Sequence, residues 1–352
     1  MTQVWKMIAG GAMAAMIAGS AAAQDRFQWT MVTSWPSGLP PQLMAEMFAD
    51  KVRTMSAGRL DITVQPAGAI VGAFDVVDAV ANGTVEMGHS LSSYWLGKNR
   101  AAPFFGAIPM TFEADQYLTW LYEAGGMELW NRFFQEELGM DIVVMPGGLN
   151  ITEFLAWSNR PLQEIDDFVG LRYRTVGWWG DILRDAGVAV TTMPGGEIYT
   201  ALERGVLDAA EFASPWIDRI SAFYEVTDYT SGPGMHQPAS IMELTINRQA
   251  YESLPPDLKA IVDTAAEAVT LRSWTMDYHY SMEAFEYFQG RNEFVRVSDE
   301  AQQAFRERAW AYLDQSSEQD PFFAEVWESV RDYYLRLNAL DAFILPVRAE
   351  SE

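Results

Sequence analysis

Two ionisable residues stand where solubility alone does not explain a charge. Arg174 lies in Gly170-Leu171-Arg172-Tyr173-Arg174-Thr175-Val176-Gly177, whose alternation predicts a strand with Arg172 and Arg174 on one face. A guanidinium held by a strand suits bidentate capture of a carboxylate; a surface pair with Asp166 or Asp167 is the plain alternative. Glu211 sits inside the apolar stretch Ala209-Ala210-Glu211-Phe212-Ala213 and is therefore expected to be buried. A buried carboxylate needs a cation or strong donors, and a structural ion pair would satisfy it as well as a ligand site. Trp35, Tyr94, Trp95, Trp178, Trp179 and Trp216 each read as core aromatics.

Catalytic patterns are missing from the sequence. There is no phosphate-binding loop, no dinucleotide-binding glycine pattern and no nucleophile elbow, Gly88-His89-Ser90-Leu91-Ser92 being a near miss. The three histidines, His89, His236 and His279, are far apart and lack paired metal-ligand spacing, so each reads as structural. A hydrolase built on Ser90, His236 and a remote carboxylate is the enzymatic alternative.

The elements that must carry these residues alternate between strand and helix. Phe27 to Val32, Leu60 to Val64, Val85 to Leu91, Asp141 to Met145, Leu171 to Val176, Val188 to Met193, Ala209 to Ala213 and Ile241 to Asn247 predict strands. Helices are predicted from Pro40-Pro41 to Gly58, from Phe74 to Ala81 and, as a long helical region, from Gln116 to Leu138. Pro146-Gly147-Gly148 predicts a loop. Asp257 to Gln289 reads as one helix, long enough to bridge two lobes, and two amphipathic helices follow Asp299. An internal echo aligns Gly83 with Gly205, superposing Ala79 on Ala201, Val80 on Leu202 and His89-Ser90 on Glu211-Phe212. If each lobe holds one copy, both strands end at a common cleft, where open α/β sheets bind ligands.

Composition bounds the function further. At 352 residues, 49% apolar, the chain exceeds what one core usually organises. Its 48 acidic residues against 24 basic ones give a net charge of -24, which repels phosphate backbones and makes nucleic acid a poor partner. With no cysteine, disulfides, thiol catalysis, zinc-thiolate sites and lipid attachment through an N-terminal cysteine are excluded. Met1 to Ala23 carries Lys6, an apolar stretch from Ile8 to Ala18 and a small-residue end, the order of a cleavable signal peptide. A soluble, exported periplasmic protein is expected, in a compartment without ATP or nicotinamide pools.

Several blocks together resemble one family. These are Ala57-Gly58-Arg59-Leu60, Asn82-Gly83-Thr84-Val85-Glu86-Met87-Gly88-His89, Ser93-Tyr94-Trp95-Leu96-Gly97-Lys98 and Gly170-Leu171-Arg172-Tyr173-Arg174. Further along come Gly195-Gly196-Glu197-Ile198-Tyr199-Thr200-Ala201-Leu202, Leu207-Asp208-Ala209-Ala210-Glu211-Phe212 and Pro233-Gly234-Met235-His236-Gln237-Pro238. In this order they resemble the solute receptors of tripartite ATP-independent periplasmic (TRAP) transporters, the DctP-like family, in particular its 2-oxoacid and hydroxyacid branch.

The resemblance implies a two-lobed α/β periplasmic-binding-protein fold with a long bridging helix and a helical C-terminus. One lobe would comprise residues 24–149 plus about 239–278, the other about 150–238 plus 279–345. It implies a receptor, not an enzyme, that hands a small monocarboxylate to a membrane permease; a sensing subunit of a membrane receptor would share the fold. Arg174 would hold the carboxylate, and sodium or calcium would be bound by Glu211, the carbonyl of Phe212 and an upstream side chain. The family's upstream Gln falls on Glu153, and the Glu of its His-Glu-Pro motif falls on Gln237. The implied ligand set is Arg174, Tyr94, Asn150, Glu153, Phe212, Gln237, Trp35 and His89, and the metal set is Glu153, Glu211 and Phe212. No catalytic cofactor is implied. Some relatives dimerise through the C-terminal helix, and the aromatic stripe from Phe323 to Tyr334 suggests the same here.

Overall fold

The computed structural model describes residues 25–346; the expected signal segment, 1–23, lies outside them. Strands in chain order are β1 (Phe27–Thr33), β2 (Leu60–Gln65), β3 (Met87–Ser90), β4 (Ile142–Asn150), β5 (Ala156–Ser158), β6 (Arg172–Arg174), β7 (Ala189–Thr191), β8 (Ala209–Ala210), β9 (Tyr229–Gly232), β10 (Ser240–Asn247) and β11 (Glu293–Arg296). They form two sheets, ordered β2-β1-β3-β10-β4 and β11-β9-β5-β8-β6-β7. In the first, β1 runs parallel to β2 and β3 while β10 is antiparallel to β3 and β4. The chain therefore has two lobes, one per sheet. It passes between them after β4, after β9 and after β10.

Local sequence explains the helices around each sheet. Pro40 opens the helix Pro40–Met55, and Met44, Phe48 and Val52 recur every fourth residue to bury one stripe against the first sheet. Gly58, at φ +75°, ends it by donating to Arg53 O at 2.8 Å. The two members of the echo close with matching hydrogen bonds. Gly83 N donates to Val80 O at 3.1 Å and Thr84 N to Ala79 O at 2.9 Å. At the second copy, Gly205 N donates to Leu202 O at 2.9 Å and Val206 N to Ala201 O at 2.8 Å. Each unit feeds a strand of a different sheet, β3 or β8.

Four expectations need correction. The helical region from Gln116 to Leu138 is three pieces, Ala114–Glu123, Gly126–Arg132 and the π-helical turn Phe133–Glu137. Gly125 (φ +86°) breaks it, and a Cβ on Gly126 would lie 2.8 Å from the Leu121 backbone. Pro146-Gly147-Gly148 is not a loop but the middle of β4. The register slips there by one residue against Met242 and Glu243, leaving Gly147 as the extra residue of a bulge. Because β4 is an edge strand, the missing Pro146 N–H is tolerated, and a Cβ on Gly147 would come within 2.6 Å of Leu244. Strands β5, β9 and β11 were not expected; at three or four residues they are too short to show a period. Finally, the aromatic stripe proposed for dimerisation is spent inside the chain. Phe323 lies 4.7 Å from Phe104 and 5.4 Å from Trp178, and Phe322, Val326, Trp327 and Val330 are buried with it. The exposed apolar residues of this helix and its end are Leu335, Leu340, Phe343, Ile344 and Leu345.

Candidate functional site

The cleft is built from the carboxyl ends of strands and from the crossing segments, the position open α/β sheets use for ligands. Register places Arg174 of β6 beside Ala210 of β8, so the next residue, Glu211, meets the guanidinium. Both side chains are buried, 1% and 0% exposed. Arg174 is not paired with Asp166 or Asp167. Its Nε and Nη2 donate to Met193 O at 3.1 and 3.0 Å, and its Nη1 donates to Glu211 O at 2.8 Å and Glu211 Oε1 at 3.3 Å. These bonds leave one N–H on Nη2, so gripping a carboxylate with two bonds means releasing the longest contact, that to Oε1. Phe212 covers the guanidinium, its ring centroid 5.6 Å from Cζ. Arg172, on the same strand, is exposed and pairs with Asp208.

Three titratable side chains converge here. His236 Nε2 lies 3.5 Å from Glu153 Oε2 and 3.7 Å from Glu211 Oε2, and the ligand atoms of all three lie within 4.8 Å of one another. Glu153 Oε2 accepts from Gln237 Nε2 at 2.7 Å, and Oε1 accepts from Ser240 Oγ at 3.4 Å. Burial pushes the Glu153 carboxyl up to about 7 against the pull of His236. Burial also opposes ionisation of Glu211, but the charges of Arg174 and His236 prevail and hold it below the usual carboxylate range. The imidazole of His236 would be depressed by burial alone; the two glutamates outweigh that and push it up to about 9.

Several buried polar atoms of the cleft have no hydrogen-bond partner: Glu211 Oε2, both ring nitrogens of His236, and both amide atoms of Asn150 at the end of β4. Orphaned buried groups cost about 1–3 kcal/mol each unless something pairs with them. An ion among Glu211 Oε2, Glu153 and the neighbouring oxygens would satisfy part of this set, so the residues present fit a hard cation.

Trp35, Tyr94 and His89 line the first-sheet side. Trp35 packs on Tyr94 with centroids 5.9 Å apart, and Tyr94 faces Arg174; burial first, moderated by that charge, pushes its hydroxyl up to about 12. His89 has no nitrogen left for a ligand: Nδ1 accepts from Trp35 Nε1 at 2.7 Å, and Nε2 lies 3.2 Å from Gly147 O. Burial lowers this imidazole to about 4, so it is neutral and orients Trp35. The Ser90–His236 pair of the hydrolase alternative does not form, since Ser90 Oγ is bonded to Ser34 Oγ at 2.6 Å. His236 itself is the residue that the sequence-based set omitted. Only its position next to Gln237 in the Pro233–Pro238 segment could have drawn attention to it.

A two-lobed α/β protein whose buried, charged site lies where the chain crosses between the lobes has the architecture of solute-binding receptors. The chain is a member of the family "Bacterial extracellular solute-binding protein, family 7", whose model matches residues 31–320. Over 302 residues it is 31% identical to a monocarboxylate 2-oxoacid-binding periplasmic protein of Nostoc sp., covering 86% of this chain and 82% of that one. A TRAP transporter solute-binding protein from Bordetella bronchiseptica, a mixed-occupancy dimer with copurified calcium and picolinate, superposes with a TM-score of 0.87 at 26% identity, covering 91% and 95% of the two chains. Another, from Pseudoalteromonas atlantica with bound sodium and pyruvate, gives 0.86 at 27% identity, covering 91% and 97%. The chain is thus a receptor and not an enzyme, of the type that works with membrane permease subunits. No helix among the described residues is long and apolar enough to cross a membrane.

Proposed function

We propose that this receptor captures a 2-oxo- or 2-hydroxy-monocarboxylate together with sodium or calcium and delivers it to a tripartite permease. The observation that carries this is the sealed cluster of Arg174, Glu211, Glu153 and His236 with its unpaired polar atoms. Arg174 supplies the cation for the substrate carboxylate, and Glu153, Glu211 and the Phe212 carbonyl hold the ion, which neutralises the remaining charge. Asn150, Tyr94, Trp35 and Gln237 bind or enclose the ligand, while His89 acts through Trp35. Residues 24–149 with 239–278, and 150–238 with 279–345, move as two lobes that close on it. The protein is exported by a cleavable signal peptide ending at Ala23, and copies pair through the exposed apolar end of the C-terminal helix.

The test is calorimetry with pyruvate after dialysis against a chelator, with sodium or calcium restored, at several pH values. Binding that requires the restored ion supports the proposal. Metal-independent binding that weakens as pH rises through about 7, where Glu153 loses its proton, would replace the ion with a protonated Glu153 donating to the substrate.

A further inference from the structure

The bridging helix Pro256–Phe288 leads from β10 in the first sheet to β11 in the second. Its buried stripe changes character along the way. Leu258, Val262, Ala265, Ala266 and Val269 pack with Trp29 and Phe48 of the first lobe, and Ala284 and Phe288 pack with Trp157, Phe212 and Phe223 of the second. Between these two apolar ends every buried residue of the helix is polar: Thr270, Ser273, Asp277 and Ser281. Apolar packing at each end ties the helix to one lobe. The polar section between them depends on directional hydrogen bonds.

Those bonds reach the two segments that carry the site carboxylates. Ser273 Oγ accepts from Leu149 N at 2.9 Å, and Asp277 Oδ2 accepts from Ile151 N at 2.8 Å, gripping alternate residues of the chain just before Glu153. Asp277 Oδ1 accepts from Ser214 Oγ, three residues after Glu211, and from Ser281 Oγ at 3.2 Å. Ser281 Oγ in turn accepts from Trp216 N at 3.1 Å. One carboxylate, 0% exposed, therefore joins the first crossing segment to the second-lobe segment that follows Glu211.

We propose that Asp277 is the hinge pin of this receptor: a positioning residue that sets Glu153 and Glu211 in register as the lobes close, with Ser214 as its second-lobe arm. Neither Asp277 nor Ser214 is among the residues assigned to the ligand or the ion; they would act through the chain segments they hold. Losing the Ser214 arm frees the second lobe to rotate about the polar section. The ion-binding carboxylates then meet less often in their closed arrangement, so affinity falls and the ligand-free molecule is larger on average.

Calorimetry with pyruvate plus calcium, and X-ray scattering with and without them, test this on the full chain for Ser214→Ala, Asp277→Asn and the double variant. The use of pyruvate and calcium rests on the function proposed above. We expect Ser214→Ala to bind about 10-fold more weakly, as the loss of one buried charge-assisted hydrogen bond implies, and to have a larger ligand-free radius of gyration. Because both substitutions break one linkage, the double variant should be no weaker than Asp277→Asn alone; a merely structural weakening of two sites would add. Affinity of Ser214→Ala within twofold of wild type with an unchanged radius, or additive losses, overturns the hinge pin. If Asp277→Asn does not fold, Ser214→Ala decides alone. If wild type does not bind pyruvate with calcium, the ligand proposal fails, and the ligand-free radii of wild type and Ser214→Ala still decide the hinge.

Discussion

Glu243→Gln isolates one buried acid whose charge state should govern stability. Glu243 lies on β10, 0% exposed, with Oε1 accepting from Trp95 Nε1 at 2.7 Å and Oε2 from Ser92 Oγ, which also accepts from Trp130 Nε1 at 3.2 Å. No cation among the described residues is paired with it, and burial pushes the carboxyl from 4.5 up to about 7 despite those donors. A folded-state pKa above the unfolded one means the folded protein binds the proton more tightly. The associated stability is full below the unfolded value and is lost as pH rises through the folded one. A rise from 4.5 to about 7, at about 1.4 kcal/mol per unit, amounts to roughly 3 kcal/mol. The amide of Glu243→Gln resembles the neutral acid, accepting from Trp95 and donating to Ser92, and does not titrate. Urea unfolding of both proteins between pH 4 and 8, followed by tryptophan fluorescence, should therefore show the variant gaining on wild type by about 3 kcal/mol between roughly pH 4.5 and 8. A stability difference that stays flat across that range would refute the assignment of a buried, neutral-preferring Glu243.

Two further outcomes follow from the cleft. Arg174→Lys keeps the charge but loses the paired donation to Met193 O and the bond to Glu211 O, so pyruvate affinity should fall roughly 30-fold or more, corresponding to at least about 2 kcal/mol; calorimetry giving near wild-type affinity would remove Arg174 from the site. Gly234→Ala would put a Cβ 1.9 Å from the Glu153 carbonyl oxygen, a rigid backbone atom, so Glu153 must move. Thermal unfolding should show a loss of about 3 kcal/mol, and calcium affinity should fall with it; an unchanged calcium affinity would mean that Glu153 does not hold the ion.

The sequence discloses those parts of this molecule that depend on local physics. Alternation located β1 and β2, the proline-opened helices begin where Pro40 and Pro256 stand, and the glycine caps at Gly83 and Gly205 marked two helix-glycine-strand units whose backbone bonds match. Burial of Glu211 was legible because four apolar neighbours surround it. What the sequence concealed is long-range. His236 comes within 3.7 Å of both site glutamates only because two chain crossings, after β4 and after β9, converge on the end of β8, and Asp277 meets Ser214 across 63 residues. Pro146-Gly147-Gly148 looks like a turn by composition, yet the pairing of β4 with β10 makes it a bulged strand. Tertiary pairing overrode the local preference, as it did in the short strands β5, β9 and β11.

The exchange between positions 153 and 237 follows the same logic at the scale of one contact. Compared with the family pattern that the sequence resembles, an acid stands where an amide is expected and an amide where an acid is expected. The two side chains are partners, Gln237 Nε2 donating to Glu153 Oε2 at 2.7 Å, with the Glu153 N also donating to Gln237 O at 3.3 Å. A hydrogen bond between an amide and a carboxylate does not depend on which chain segment supplies which group, so the exchange preserves the pair and its formal charge. It does move the carboxylate onto the first crossing segment, two residues from the Asp277 contact at Ile151. There Glu153 faces His236, which also faces Glu211, so that under the proposed function the charge around the ion would be tied to the proposed hinge more closely than with an amide at that position. If Glu153 and Glu211 hold the ion as proposed and Asp277 is the hinge pin, affinity for the cation and closure of the lobes are one coupled equilibrium, because a positive charge that draws Glu153 toward Glu211 would also draw together the segments that Asp277 joins.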